Sequence, residues 1–299
     1  MGSLWNQIRP IIGRPNRVNR FLYDIYKEEI AVDRQRSKAE IHDIGTAVND
    51  MISAIVGQAF ETDTVFNIPR KMLPNHIIGV GSFFEQTKII DVNEFDFTVV
   101  LPYFTSENVR VVKELHSPYV GCRHGVRKNP FAFVELEYVG KNADILTKKN
   151  LLTTIKSKRY ILACGLYTFA KVKIDDCLSG PRKVQPVDRE TGTLEFNVNG
   201  FGSKSYPNGP ALKLYLKWWQ NWGHNNLDIT VDLVPAIKTS IPKNMSNNIT
   251  APYVMRKEVT KSNCCFFIPK NKPHVSVDFI ISFSQIESQL LLTLRKERP

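Results

Sequence analysis

Between Val18 and Val56 the apolar residues Ile41, Ile44, Val48, Met51, Ile52 and Ile55 return at intervals of one, three and four, with polar residues between them. That is the period of one buried helical face, and no proline interrupts the stretch. The pattern predicts one long helix, or two end to end, running along the body of the protein. Further on the period shortens to two. In residues 94–101, Phe95, Phe97 and Val99 alternate with Glu94, Asp96 and Thr98, which predicts a strand with one face buried. Phe131–Tyr138, Ala211–Trp218 and Leu227–Val234 read as strands as well, and Ile77–Val80 as a short one running into Gly81-Ser82. Pro69 and Pro74 predict a loop over Phe66–Pro74. Thr147–Cys177 is rich in helix formers and free of proline, whereas 178–210 is broken by glycines and prolines from Pro181 to Pro210 and reads as loop.

These elements predict an α+β protein: a mixed twisted sheet, a long N-terminal spine helix and a second lobe. After Pro235 the composition changes, so a core is expected over residues 1–240 and a helical C-terminal lobe from 241 to 299. With 299 residues, 42% of them hydrophobic, the chain can bury a large core, and its 23% charged residues exclude a disordered composition. No apolar run reaches 18 residues and no signal peptide is evident, so no membrane partner is expected. Five cysteines, an odd number with no C-x-x-C, argue against a disulfide framework and against zinc, and fit a cytoplasmic or nuclear setting.

The net charge of +11 is spread unevenly. Residues 141–173 hold eight Lys or Arg against the single acid Asp144, and 238–275 hold seven against Glu258. Such segments suit a polyanionic partner, although a charge run is often only a solvated face.

The candidate chemistry lies in the strands. Glu94 and Asp96 stand two apart, so both side chains leave the same face. Two neighbouring carboxylates repel each other unless a cation neutralises them, and Mg²⁺ takes oxygen ligands that it shares with phosphates. Gly81-Ser82, twelve residues before Glu94, offers backbone N–H groups and a hydroxyl to a phosphate. Asp232 stands between the apolar residues Val231 and Leu233 of another strand, where a carboxylate needs a partner or a metal. A strand, a Gly-Ser turn, an E-x-D strand and a distant strand Asp, in that order, are what a metal-dependent nucleotidyltransferase requires.

The run Gly81-Ser82-Phe83-Phe84-Glu85 through Asn93-Glu94-Phe95-Asp96 resembles the signature of the cyclic GMP-AMP synthase-like receptors, which share their fold with the male-abnormal developmental proteins. Gly209-Pro210-Ala211 leading to Ile229-Thr230-Val231-Asp232 is similar to the region of the family's third carboxylate, and Ser282-Phe283-Ser284-Gln285-Ile286-Glu287 to its S-F-S-x-x-E segment. The resemblance implies a bilobal nucleotidyltransferase that joins ATP and GTP into a cyclic dinucleotide in innate immune signalling. Glu94, Asp96 and Asp232 would bind Mg²⁺ or Mn²⁺, and Ser82 would hold the triphosphate. Ser282, Ser284 and Glu287 would lie near bases or sugars. Double-stranded RNA, rather than DNA, would activate the enzyme through the spine helix and Lys148, Lys149, Lys156, Lys158 and Arg159, with a dimer on the nucleic acid. No zinc insertion is present in the sequence. Phe279 and Ile280 stand where the family often has Trp-Arg, and the chain ends at Pro299, soon after S-F-S-x-x-E, so a truncated second lobe is expected. A catalytically silent binding module of the same fold is the alternative.

Overall fold

The computed structural model describes residues 36–85, 91–113, 133–179, 184–197, 211–221, 226–240, 265–269, 277–282 and 284. Helix α1 spans Lys38–Phe60. Ser37 is extended (φ −64°, ψ 151°) and its hydroxyl accepts from the Glu40 N–H at 3.1 Å, which satisfies one of the free amides of the first turn. Arg36 reaches Glu40 at 2.7 Å and Asp91 at 2.8 Å, tying this cap to the residues just before Glu94. Of the two arrangements expected from Val18 to Val56, the cap excludes one unbroken helix, because this helix begins after Ser37. Residues 18–35 lie outside the described residues. The predicted apolar face is real: Ile44, Val48, Met51, Ile52 and Ile55 are completely buried.

The Phe66–Pro74 interval is not all loop. It holds a 3₁₀ turn at Arg70–Met72 and the start of the short helix α2, Leu73–His76. Pro74 fits in that first turn because the amide it lacks would have no helical partner there. Strand β1 (Ile77–Val80), the single-turn helix α3 (Gly81–Phe84) and strand β2 (Glu94–Val100) follow. Then come β3 (Val109–Lys113), β4 (Phe133–Tyr138) and helix α4 (Ala143–Lys148).

The stretch Thr147–Cys177 departs from uniform helix. It contains a hairpin of β5 (Leu152–Ile155) and β6 (Lys158–Ile161) before helix α5 (Ala163–Ser179). Ile155 pairs with Lys158, and Lys156 and Ser157 between them have φ of 47° and 67°. Two successive left-handed residues make the tight turn whose twist matches a hairpin. Lys-Ser is not a usual pair for that turn, so the composition conceals it.

The interval 178–210 holds a second hairpin, β7 (Val187–Asp188) and β8 (Gly192–Phe196). A Cβ on Gly192 would meet the Trp218 ring at 2.5 Å, so the glycine is needed for close packing rather than for a loop. The remaining strands are β9 (Leu212–Gln220), β10 (Asn226–Thr239), β11 (Cys265–Pro269) and β12 (Asp278–Ser282).

Among the described residues all twelve strands join one sheet in the order β5-β6-β4-β12-β11-β10-β9-β8-β7, with β1 and β2 branching from β10 and β3 from β4. The fold is mixed α+β, rich in strand, as expected from the sequence. Strand β10 does not stop before Pro235, which pairs with Val99 inside the sheet. Thr230 donates to Asn93 and Ala236 accepts from Leu101, so the even-numbered residues turn their backbone groups to β2. Pro235 faces the other way, where the pairing to β9 has already ended at Leu233. No ladder hydrogen bond is lost there. The boundary drawn at residue 240 thus falls just beyond Thr239, which pairs onward to Cys265 of β11.

Helix α1 packs on α5 and β8. Beyond the end of α1, Asp63 is 1% exposed at its side chain and accepts from the amides of Val65 and Phe66 at 2.9 and 3.0 Å. Lys149 and Lys173 close on it at 3.0 and 3.1 Å. Burial alone would raise the Asp63 pKa, but these two amides and two lysines outweigh it and hold the carboxyl below the usual carboxylate range.

Candidate active site

Strands β2 and β10 are parallel, with Glu94 opposite Thr230 and Asp96 opposite Asp232. Register partners on adjacent strands project to one face, as do residues two apart on one strand. Glu94, Asp96 and Asp232 therefore share a sheet face. Phe95, Phe97, Val231 and Leu233 lie on the other and are essentially fully buried. A slip of one residue would carry these four into solvent and the acids into the core, so burial fixes the register that gathers the acids.

Strand β1 delivers the Gly-Ser turn to the same place, because Val80 is the antiparallel partner of Asp96. Gly81 has φ +79°, and a Cβ there would overlap Asp96 Oδ2. The backbone thus approaches the carboxylate as no other residue would allow. Two aromatic rings pin the turn. Phe83 lies against Gly45 of α1, where a Cβ would stand 2.8 Å from its Cζ, and its ring centroid is 4.4 Å from that of Phe95. Phe84 covers Gly79 and lies 5.1 Å from Phe97, centroid to centroid. Ser82, half-buried, directly precedes these two anchors.

One residue of this face has a partner that the sequence does not reveal. Lys213 of β9 is the register partner of Asp232, and its Nζ stands 3.4 Å from Asp232 Oδ1. At that length the contact is an ion pair without good hydrogen-bond geometry, and Oδ1, although buried, has no hydrogen bond among the described residues. Burial raises the Asp232 pKa, Lys213 opposes that rise and Glu94 adds to it, leaving the carboxyl above its ordinary value. For Lys213 burial acts downward, but the attraction of Asp232 prevails and the ammonium is held more firmly. The alternation of β9, with Leu212, Leu214, Leu216 and Trp218 buried, marks Lys213 as a residue of the opposite face. Its pairing to Asp232 depends on a register that the alternation does not reveal.

The donor set suits a divalent ion: oxygen ligands, one of them a buried carboxylate oxygen without a hydrogen bond. Among the described residues no three acid, His or Cys side chains lie close enough together to hold one. The backbone brings the acids to one face, and the Asp232 side chain turns to Lys213.

The other predicted residues are distributed differently. Ser282 Oγ lies 3.1 Å from Ser284 Oγ at the end of β12. Ser282 pairs with Phe266, which pairs with Lys238. That is six residues along β10 from Asp232, on the order of 20 Å of extended chain, so strand register does not join the serines to the acids. Glu287 lies outside the described residues. Lys148, Lys156, Lys158 and Arg159 are exposed on α4 and the β5–β6 hairpin, separated from β10 by β4, β12 and β11. Lys149 does not belong with them, because Asp63 holds it half-buried over the Phe169 ring.

A family model described as the Mab-21 protein nucleotidyltransferase domain matches residues 83–293, well over half of the chain. This chain belongs to the Mab-21 nucleotidyltransferase family. The Mab-21 match takes in β2, β9 and β10, and so all three acids and Lys213, while helix α1 and the Gly81-Ser82 pair precede it. The family assigns the chain to the nucleotidyltransferases, as the order of turn, E-x-D strand and third Asp suggested. No helix among the described residues is long and apolar enough to cross a membrane.

Proposed function

We propose that this Mab-21 protein joins ATP and GTP into a cyclic dinucleotide when double-stranded RNA is bound, as part of innate immune signalling. The observation that carries the reading is the shared face of Glu94, Asp96 and Asp232, with Gly81-Ser82 delivered to its edge. Mg²⁺ or Mn²⁺ bound there would neutralise the triphosphate and make an attacking hydroxyl more acidic. The Gly81-Ser82 backbone and the Ser82 hydroxyl hold the phosphates from the adjoining turn. Asp232 would take the proton of the sugar hydroxyl as its oxygen attacks the α-phosphorus and pyrophosphate leaves. Ser282, Ser284 and Glu287 would serve the bases and sugars of the bound nucleotides.

Exposed Lys148, Lys156, Lys158 and Arg159 sit at the sheet edge away from the acids, which suits a duplex that binds by its phosphates without entering the site. A second reading is a silent binding module. It is favoured by the Lys213–Asp232 ion pair, which already engages one of the three acids. The two are separated by incubating the purified protein with ATP, GTP and Mg²⁺ or Mn²⁺, with and without long double-stranded RNA or DNA. A cyclic product dependent on RNA supports the synthase. No product under any condition, from protein shown to be folded, leaves the binding module.

A further inference from the structure

Three observations converge on Lys213. It is the register partner of Asp232, its ammonium stands 3.4 Å from Asp232 Oδ1, and that oxygen is buried without a hydrogen bond among the described residues. Its aliphatic stem lies in a strand whose opposite face is packed by Leu212, Leu214 and Leu216. Lys213 is therefore a fixed charge of the site rather than a surface lysine that passes by.

We propose that Lys213 is a resident counter-cation of the carboxylate face: a positioning residue that Asp232 must release before it can ligate a divalent ion. The inference rests on the reading of Glu94, Asp96 and Asp232 as metal ligands. Three carboxylates on one sheet face carry three like charges, and one fixed ammonium reduces that repulsion while the site holds no ion. The same ammonium opposes an arriving dication twice, by occupying Asp232 Oδ1 and by direct repulsion at short range. Divalent-ion binding without nucleotide is thereby weakened. A nucleoside triphosphate changes the balance, since its phosphates offer Lys213 another anion and leave Asp232 open to the metal. Ion and nucleotide then bind as a pair.

The test is binding of Mn²⁺ alone to the full chain, read from the loss of the free-ion electron paramagnetic resonance signal, which needs no turnover. Lys213→Met and Lys213→Thr remove the charge, and Lys213→Arg keeps it. The charge-removing variants are expected to bind Mn²⁺ at least about tenfold more tightly than the natural protein, with Lys213→Arg remaining weak. Asp232→Asn in the Lys213→Met background should abolish the gain, and a non-hydrolysable triphosphate should tighten Mn²⁺ binding to the natural protein more than to Lys213→Met. A merely structural lysine would alter the melting temperature without moving these affinities. If folded Lys213→Met and Lys213→Thr bind Mn²⁺ no better than the natural chain does, the counter-cation role is overturned and the metal site stands. If none of the proteins binds Mn²⁺ at millimolar concentration, the metal reading itself falls, and this inference with it.

Discussion

Asp96 and Asp232, distant in sequence, are direct register partners on two parallel strands. The pairing needs no contact between the two side chains to be enforced. It follows from burial of Phe95, Phe97, Val231 and Leu233 on the reverse face, so the acids stay together for as long as the core does.

The close approach of Gly81 to Asp96 is open to a simple substitution. Alanine at a φ of +79° carries strain of roughly 1–2 kcal/mol, and its Cβ would also displace Asp96 Oδ2. Gly81→Ala is expected to melt a few degrees lower, by circular dichroism, while nucleotide joining falls at least about tenfold. Loss of activity out of proportion to stability distinguishes a displaced carboxylate from general damage.

Asp63 makes a separate prediction about stability. Asp63→Asn leaves Lys149 and Lys173 facing a neutral partner, at a cost of roughly 2–3 kcal/mol, below the full value for a buried pair because both lysines are about a quarter exposed. The folded-state pKa lies below the unfolded one, so the stabilisation is fully present above the unfolded carboxyl pKa of about 4 and is lost as pH falls through the folded value. Urea unfolding of both proteins should show a constant gap from pH 7 to about 5 and a narrowing gap below about 4.

Cys177 is expected to be inert. It is buried, its Sγ lies 3.6 Å from the Ile55 carbonyl, and burial pushes its thiol up to about 11. A neutral thiol is a poor nucleophile. At pH 8 a disulfide-exchange reagent should label Cys177 only upon unfolding, whereas mass spectrometry of native protein should find it unmodified.

The strands that build the acidic face were legible because one side had to be packed. Phe95 and Phe97 against Glu94 and Asp96 leave only one arrangement. The hairpins were not legible. Lys156-Ser157 makes a turn usually given to Asn-Gly, and Gly192 resembles a loop glycine although it sits beneath Trp218. Pro235 reads as a strand end in the sequence, yet a proline costs a strand only where its missing N–H faces a partner. Which side it faces is decided by the register with β2. Lys213 escapes notice for the same reason: a strand's own pattern shows which face a residue takes, but not which residue stands opposite.

The basic surface divides into two kinds of lysine. Glu at Lys148 and Lys156 together should weaken duplex binding and reduce its salt slope by about one for each phosphate no longer neutralised, with the melting temperature retained, whereas Lys158 also pairs with Glu137 at 3.5 Å. Lys149→Glu places a second acid against Asp63, so its main effect should be on stability. Filter binding across a salt series, alongside thermal melts, separates the two.

The most direct measurement of the central claim compares the natural protein with Asp96→Asn, each supplied with α-labelled ATP, GTP, Mg²⁺ and long double-stranded RNA. Labelled cyclic dinucleotide and unlabelled pyrophosphate are expected from the natural protein, and a fall of at least about 100-fold from the variant at an unchanged melting temperature. Equal product from both proteins would contradict a site built on Asp96 and its register partner Asp232.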